Sequence, residues 1–86
     1  MPADPLLLAI EAAGWIGALL ILAAYGLVSS GRLDPRQRTF QWMNLAGAAG
    51  FVVNSGWHGA WPSAILNIIW IGIAATTLIR IEAPRA

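Results

Sequence analysis

From Leu6 to Val28 the chain is apolar except for a single carboxylate, Glu11, and no other feature constrains its fold as strongly. A helix needs about 20 predominantly apolar residues to cross the hydrocarbon core of a bilayer, so this run is long enough to span one. A cleaved signal peptide is the competing reading. It fits less well, because Met1-Pro-Ala-Asp has no basic residue and the run is longer than the usual apolar core of about 7–15 residues. Composition agrees with lipid as the solvent. The 86 residues are 58% hydrophobic and only 10% charged, against roughly 25% charged in an ordinary soluble domain. So little charge cannot clothe a soluble exterior, and the expectation is one all-α transmembrane domain over residues 1–86.

Two further helices follow from punctuation. Ser29-Ser30-Gly31 stops the first helix, with glycine taking the left-handed position. Asp34-Pro35-Arg36-Gln37 reads as a helix start, with Asp34 as N-cap, Pro35 in the first position and Gln37 closing a capping-box-like pair. Gly56 and Gly59 end that helix, and Pro62 opens a third that runs to Arg80. The spacing predicts helices over residues 6–29, 35–57 and 62–81, each antiparallel to its neighbour in sequence. Arg32, Arg36 and Arg38 occupy the first loop and Arg80 and Arg85 follow the third helix, whereas the N-terminus and second loop hold no arginine. The positive-inside rule then places the N-terminus outside and the C-terminus in the cytoplasm of a bacterial inner (plasma) membrane. Trp15, Trp57 and Trp61 fall toward the outer interface and Trp42 toward the inner one, as amphipathic indoles do.

Several chemistries drop out. With no cysteine and a lone His58, neither a disulfide framework nor a metal site is expected, and no cofactor is implied. A net charge of +1 with no basic run beyond one short loop argues against nucleic acid. No phosphate loop, nucleophile elbow or carboxylate pair is present, so the chain is not expected to be an enzyme.

What remains is polar residues at helical spacing. Asn44, Gly47, Phe51, Asn54 and His58 share one face of the second helix. Ser63, Asn67, Trp70, Ala74 and Thr77 share one of the third, and Glu11, Ala18, Leu22, Tyr25 and Ser29 one of the first. By depth, Glu11, Asn54 and Asn67 form an outer polar layer and Tyr25, Asn44 and Thr77 an inner one, with Phe51 and Trp70 between. An amide in hydrocarbon needs a partner, so the asparagines meet each other, backbone, water or a ligand. Asn54, Asn67 and Trp70 are candidate solute-binding residues, and Tyr25, Asn44 and Thr77 a candidate inner gate. The alternative is that the amides join helices, and that Trp70 packs against Gly47 and Gly50. Glu11 is a candidate proton site, or else a carboxylate that snorkels to the surface. Gly14 with Ala18, and Gly47 with Gly50, are expected to let helix backbones approach closely.

Taken together, Gly14-Trp15, Ala24-Tyr25, Ser29, Gln41, Asn44-Leu-Ala-Gly47, Asn54, Gly59-Ala-Trp61-Pro62-Ser63, Leu66-Asn67 and Trp70 resemble the CBU-like family of small bacterial inner-membrane proteins. The resemblance covers nearly the whole chain and implies membrane placement without a substrate. A more distant resemblance of architecture is to SemiSWEET and PQ-loop transporters, three-helix units that pair around one solute pathway. It implies Asn54, Asn67 and Trp70 as matching residue types and a third helix inserted between the first two, although chain-order packing stays open. Ala24-Tyr25 stands where that group carries its Pro-Gln hinge. Two functions are expected to compete: a homodimeric half-transporter for a small polar solute, and a non-catalytic accessory or scaffold subunit docked on another membrane protein.

Overall fold

The computed structural model of the chain describes residues 4–82, which form three helices: α1 (Pro5–Ser29), α2 (Arg38–Trp57) and α3 (Trp61–Glu82). Arg85, one of the arginines used to orient the chain, lies outside the described residues. Helix α1 begins one residue earlier than its apolar run because Asp4 is a true N-cap: its Oδ1 accepts the Leu6 N–H at 2.9 Å, and Pro5 needs no partner in the first position. At the other end Gly31 adopts φ 77°, while the N–H groups of Ser30 and Arg32 return to the carbonyls of Gly26 and Leu27 at 3.0 and 2.9 Å. This is the glycine stop that the sequence predicts.

Helix α2 starts at Arg38 rather than at residue 35, and the reason is local. The expected reciprocal pair forms only in half: Gln37 Oε1 accepts the Asp34 N–H at 2.8 Å, but Asp34 Oδ1 accepts the N–H of Arg36 at 2.8 Å rather than that of Gln37, so Asp34 caps a turn and not the helix. It closes only one turn, because Gln37 is extended (φ −75°, ψ 146°) and resets the backbone before the helix proper. Gln41, itself buried, fastens this turn by donating from Nε2 to the Pro35 carbonyl at 2.9 Å. At the far end Gly59 takes φ 70° and the Ala60 N–H reaches the Ser55 carbonyl at 2.8 Å, so three residues suffice to reverse the chain into α3.

The helices pack in chain order. Helix α2 packs closely on both neighbours, whereas the α1 and α3 backbones do not approach each other, so the third helix is not inserted between the first two as the transporter resemblance implies. Glycine decides the α1–α2 crossing. A Cβ on Gly17 would lie 2.6 Å from the Gly47 carbonyl oxygen, one on Gly47 would lie 2.7 Å from Ile21 Cγ1, and one on Gly50 would collide with the Ala13 carbonyl. Backbone therefore touches backbone. The tight pair on α1 is Ala13 and Gly17, one residue before the Gly14 and Ala18 expected from the sequence. Gly47 and Gly50 are spent on α1, and Trp70 does not have them as its packing surface.

Among the described residues, the buried positions are mostly small: Ala24 and Ala48 are 0% exposed, Ala64 and Ala74 nearly so, with Ile10, Leu78 and Gln41 the large side chains that join them. Leu19, Leu22, Ile65, Ile68 and Ile79 instead face outward. Helices α1 and α3 are long and apolar enough to cross a membrane, with mean hydropathy 2.2 and 1.9. Helix α2 is less apolar because it carries Arg38, Gln41, Asn44, Asn54 and Ser55, and it is the helix with a protein neighbour on both sides.

Candidate functional site

Because α1 and α3 flank α2 without close backbone approach to each other, a groove floored by α2 lies between them. Two turns of helix bring a residue back to nearly the same face, with a drift of about 20°. Glu11, Ala18 and Tyr25 on α1 therefore align along one wall, and Asn44, Phe51 and His58 along the floor. Three cavities follow this line. At the end bearing the arginine loop, a cavity of about 200 Å³ is lined by Tyr25 of α1, Phe40, Gln41 and Asn44 of α2, and Trp70, Ile73 and Ala74 of α3. Next to it, sharing Trp70, Ile21 faces Leu66 and Asn67 around about 260 Å³. Toward the opposite end, Glu11, Gly14, Trp15, Ala18, Phe51 and Asn54 line about 230 Å³.

The predicted residues are regrouped by this arrangement. Asn54 and Asn67 do not meet. Asn54 turns to α1, donating from Nδ2 to the Ile10 carbonyl at 3.1 Å and approaching Glu11 Oε1 at 3.5 Å, in room left by Gly14. Asn67 donates to the Ser63 carbonyl of its own helix at 2.9 Å and lines the middle cavity. Trp70, 43% exposed, joins Asn67 on one side and the Tyr25–Asn44 pair on the other. Thr77 bonds the Ile73 carbonyl at 2.9 Å and is not among the residues lining the Tyr25–Asn44 cavity. Asn44 is the exception among the amides: its Oδ1 is buried without a hydrogen-bond partner. A buried acceptor left open costs about 1–3 kcal/mol, and so favours any donor that enters the cavity.

Glu11 is not isolated. Its Oε1 lies 2.8 Å from His58 Nε2, so carboxylate, imidazole and the Asn54 amide form one cluster linking α1 to the end of α2. Sequence reading singled out both residues but did not pair them. The usable signal was the antiparallel hairpin, which sets the start of α1 beside the end of α2, where Asn54 and His58 stand one turn apart. Across the other seam, Ser55 and Ser63 hydroxyls meet at 3.0 Å and tie α2 to α3. Glu11 and His58 are two potential metal ligands, and no third converges on them among the described residues.

The Asn54 bonds give a first prediction. Asn54→Ala removes the α1 carbonyl contact and is expected to lower stability by about 0.6–1.7 kcal/mol, the range measured for interhelical side-chain bonds in membranes. Thermal unfolding in mild detergent reads this directly. An unchanged midpoint would show that the amide is free for other duty.

A family model matches residues 10–85, nearly the whole chain, and that family is uncharacterised. No curated protein and no solved structure matches the chain.

Proposed function

The chain belongs to the CBU-like family, whose activity is uncharacterised, and from that premise we propose that it is a half-transporter: a three-span membrane protein whose homodimer encloses a path for a small polar solute. The observation that carries this reading is the groove, lined by all three helices, open on one side and holding Asn44, Asn67, Tyr25 and Trp70. Lipid would leave these polar groups unsatisfied. Three helices enclose no lumen, so a second copy related by a two-fold axis, groove to groove, both covers them and completes a pathway.

Membrane placement is supported by the inverted core. Soluble bundles bury leucine, isoleucine and aromatic side chains, whereas this chain buries mostly alanine and glycine, with Ile10 and Leu78, and turns most of its large apolar side chains outward. Small residues at the contacts are how helices associate in lipid, where apolar surface has nothing to gain from leaving its solvent. In the bacterial inner membrane the arginine loop faces the cytoplasm, with the N-terminus outside. The cavity of Tyr25, Asn44 and Trp70 is then the cytoplasmic end of the path, Asn67 lines its middle, and Thr77 sits beside its inner mouth. The Glu11–His58 pair closes the outer end and is its proton-accepting element, with Asn54 as its anchor rather than a solute ligand.

Mass measurement after extraction in mild detergent tests this. The expected species is a dimer that takes up labelled amines, sugars or amino acids in proteoliposomes, with uptake lost in Asn67→Ala or Trp70→Leu while the dimer mass persists. A monomer held by a larger membrane protein would overturn the reading and leave an accessory subunit.

A further inference from the structure

We propose that the cavity at the arginine-loop end binds a small organic cation that carries at least one N–H, such as a secondary alkylammonium. This deepens the transporter reading and rests on it for access to the site. Three aromatic residues, Tyr25, Phe40 and Trp70, one from each helix, line one cavity of about 200 Å³ together with Asn44, whose Oδ1 is buried and without a partner. Aromatic faces attract cations through the ring quadrupole, tryptophan most strongly, and cages of such rings recognise alkylated ammonium groups.

The polar inventory separates this ligand from others. Gln41 has committed its Nε2 to the Pro35 carbonyl, whereas the Asn44 Oδ1 is a buried acceptor with no partner and calls for a donor. A polyol brings many hydroxyls, and most would be buried without partners here, each at a cost. An anion would face the negative ends of the Asn44 dipole and the aromatic quadrupoles. A fully methylated ammonium satisfies the rings but offers no N–H to Oδ1. A compact alkylammonium satisfies both, its N–H on Asn44 and its methyl groups against Trp70, Tyr25 and Phe40. The cavity holds no carboxylate, so binding is loose enough for release, as a transport site requires.

The test uses the full chain in lipid nanodiscs with nitrogen-15 in the indoles, and the Trp70 signal is assigned by its loss in Trp70→Phe. Dimethylammonium is expected to shift that signal saturably. Tetramethylammonium should bind about ten-fold more weakly, the equivalent of one good hydrogen bond, and isopropanol should leave the signal in place. Asn44→Leu should remove the preference for dimethylammonium over tetramethylammonium while the Trp70 signal still responds to both. A merely structural Asn44 would not change that ratio. Equal responses to dimethylammonium, tetramethylammonium and isopropanol, or none to any, overturn the cation site. Uptake of dimethylammonium by the same preparation in proteoliposomes separates the two claims. Binding without uptake overturns the transporter reading alone, whereas uptake of another solute with no ammonium response overturns the cation site alone.

Discussion

Gly17→Ala is expected to lower the unfolding midpoint in mild detergent by several degrees, while Gly72→Ala leaves it unchanged or raises it. The two substitutions add the same methyl group to the middle of a helix, where alanine is favoured over glycine by about 0.8–1.0 kcal/mol. At Gly72 nothing lies within 4 Å of the new Cβ, so only that gain remains. At Gly17 the Cβ would stand 2.6 Å from the Gly47 carbonyl oxygen and 3.4 Å from the Phe51 nitrogen, both backbone atoms that no rotamer change can move. The helices must separate, and overpacking of this kind costs about 1–3 kcal/mol. Gly50→Ala should follow Gly17→Ala in sign, because its methyl meets the Ala13 carbonyl. A Gly17→Ala protein as stable as the parent would mean that α1 crosses α2 elsewhere, and the groove with its cavities would have to be redrawn.

Leu66→Cys is expected to give abundant covalent dimer with a short bismaleimide in native membranes, and Ile68→Cys almost none. The chain has no cysteine, so each variant reports a single position. The two sites are matched in exposure, 60% and 55%, and differ in direction: Leu66 lines the groove, whereas Ile68, about 200° further round α3, faces away from it. A dimer that closes groove on groove brings both copies of Leu66 to a common interface and leaves both copies of Ile68 in lipid. Preferential linkage at Ile68 would show that the copies meet back to back. The groove would then be open to lipid or to a different protein, and the half-transporter would give way to the accessory subunit.

Some of this was available one helix at a time. The length of the Leu6–Val28 run, the glycine stops at Gly31 and Gly59 and the bond from the Asp34 N–H to the Gln37 side chain are short-range effects, and the structure reproduces these. Even the polar faces were readable, because helical periodicity places Asn44 with Phe51 and Ser63 with Asn67 whatever lies beyond the helix. Local rules did not fix where the second helix begins. Gln37 could have continued a helix, but the chain there is extended, and Gln41 ties the isolated turn back to Pro35.

The amino-acid sequence alone determined three helices, two of them long and apolar, with polar residues at helical spacing on each, since hydropathy and a period of 3.6 residues are properties of a single segment. Only the tertiary structure decided which stripes meet. Every helix offered small residues, so the choice of α2 as the centre turned on whether Gly17 and Gly47 could bring two backbones into contact, a matter of two surfaces rather than one. That choice sent Asn54 to Ile10 and paired Glu11 with His58. It also left Trp70 to face Tyr25 and Asn44 across a groove that no single helix contains.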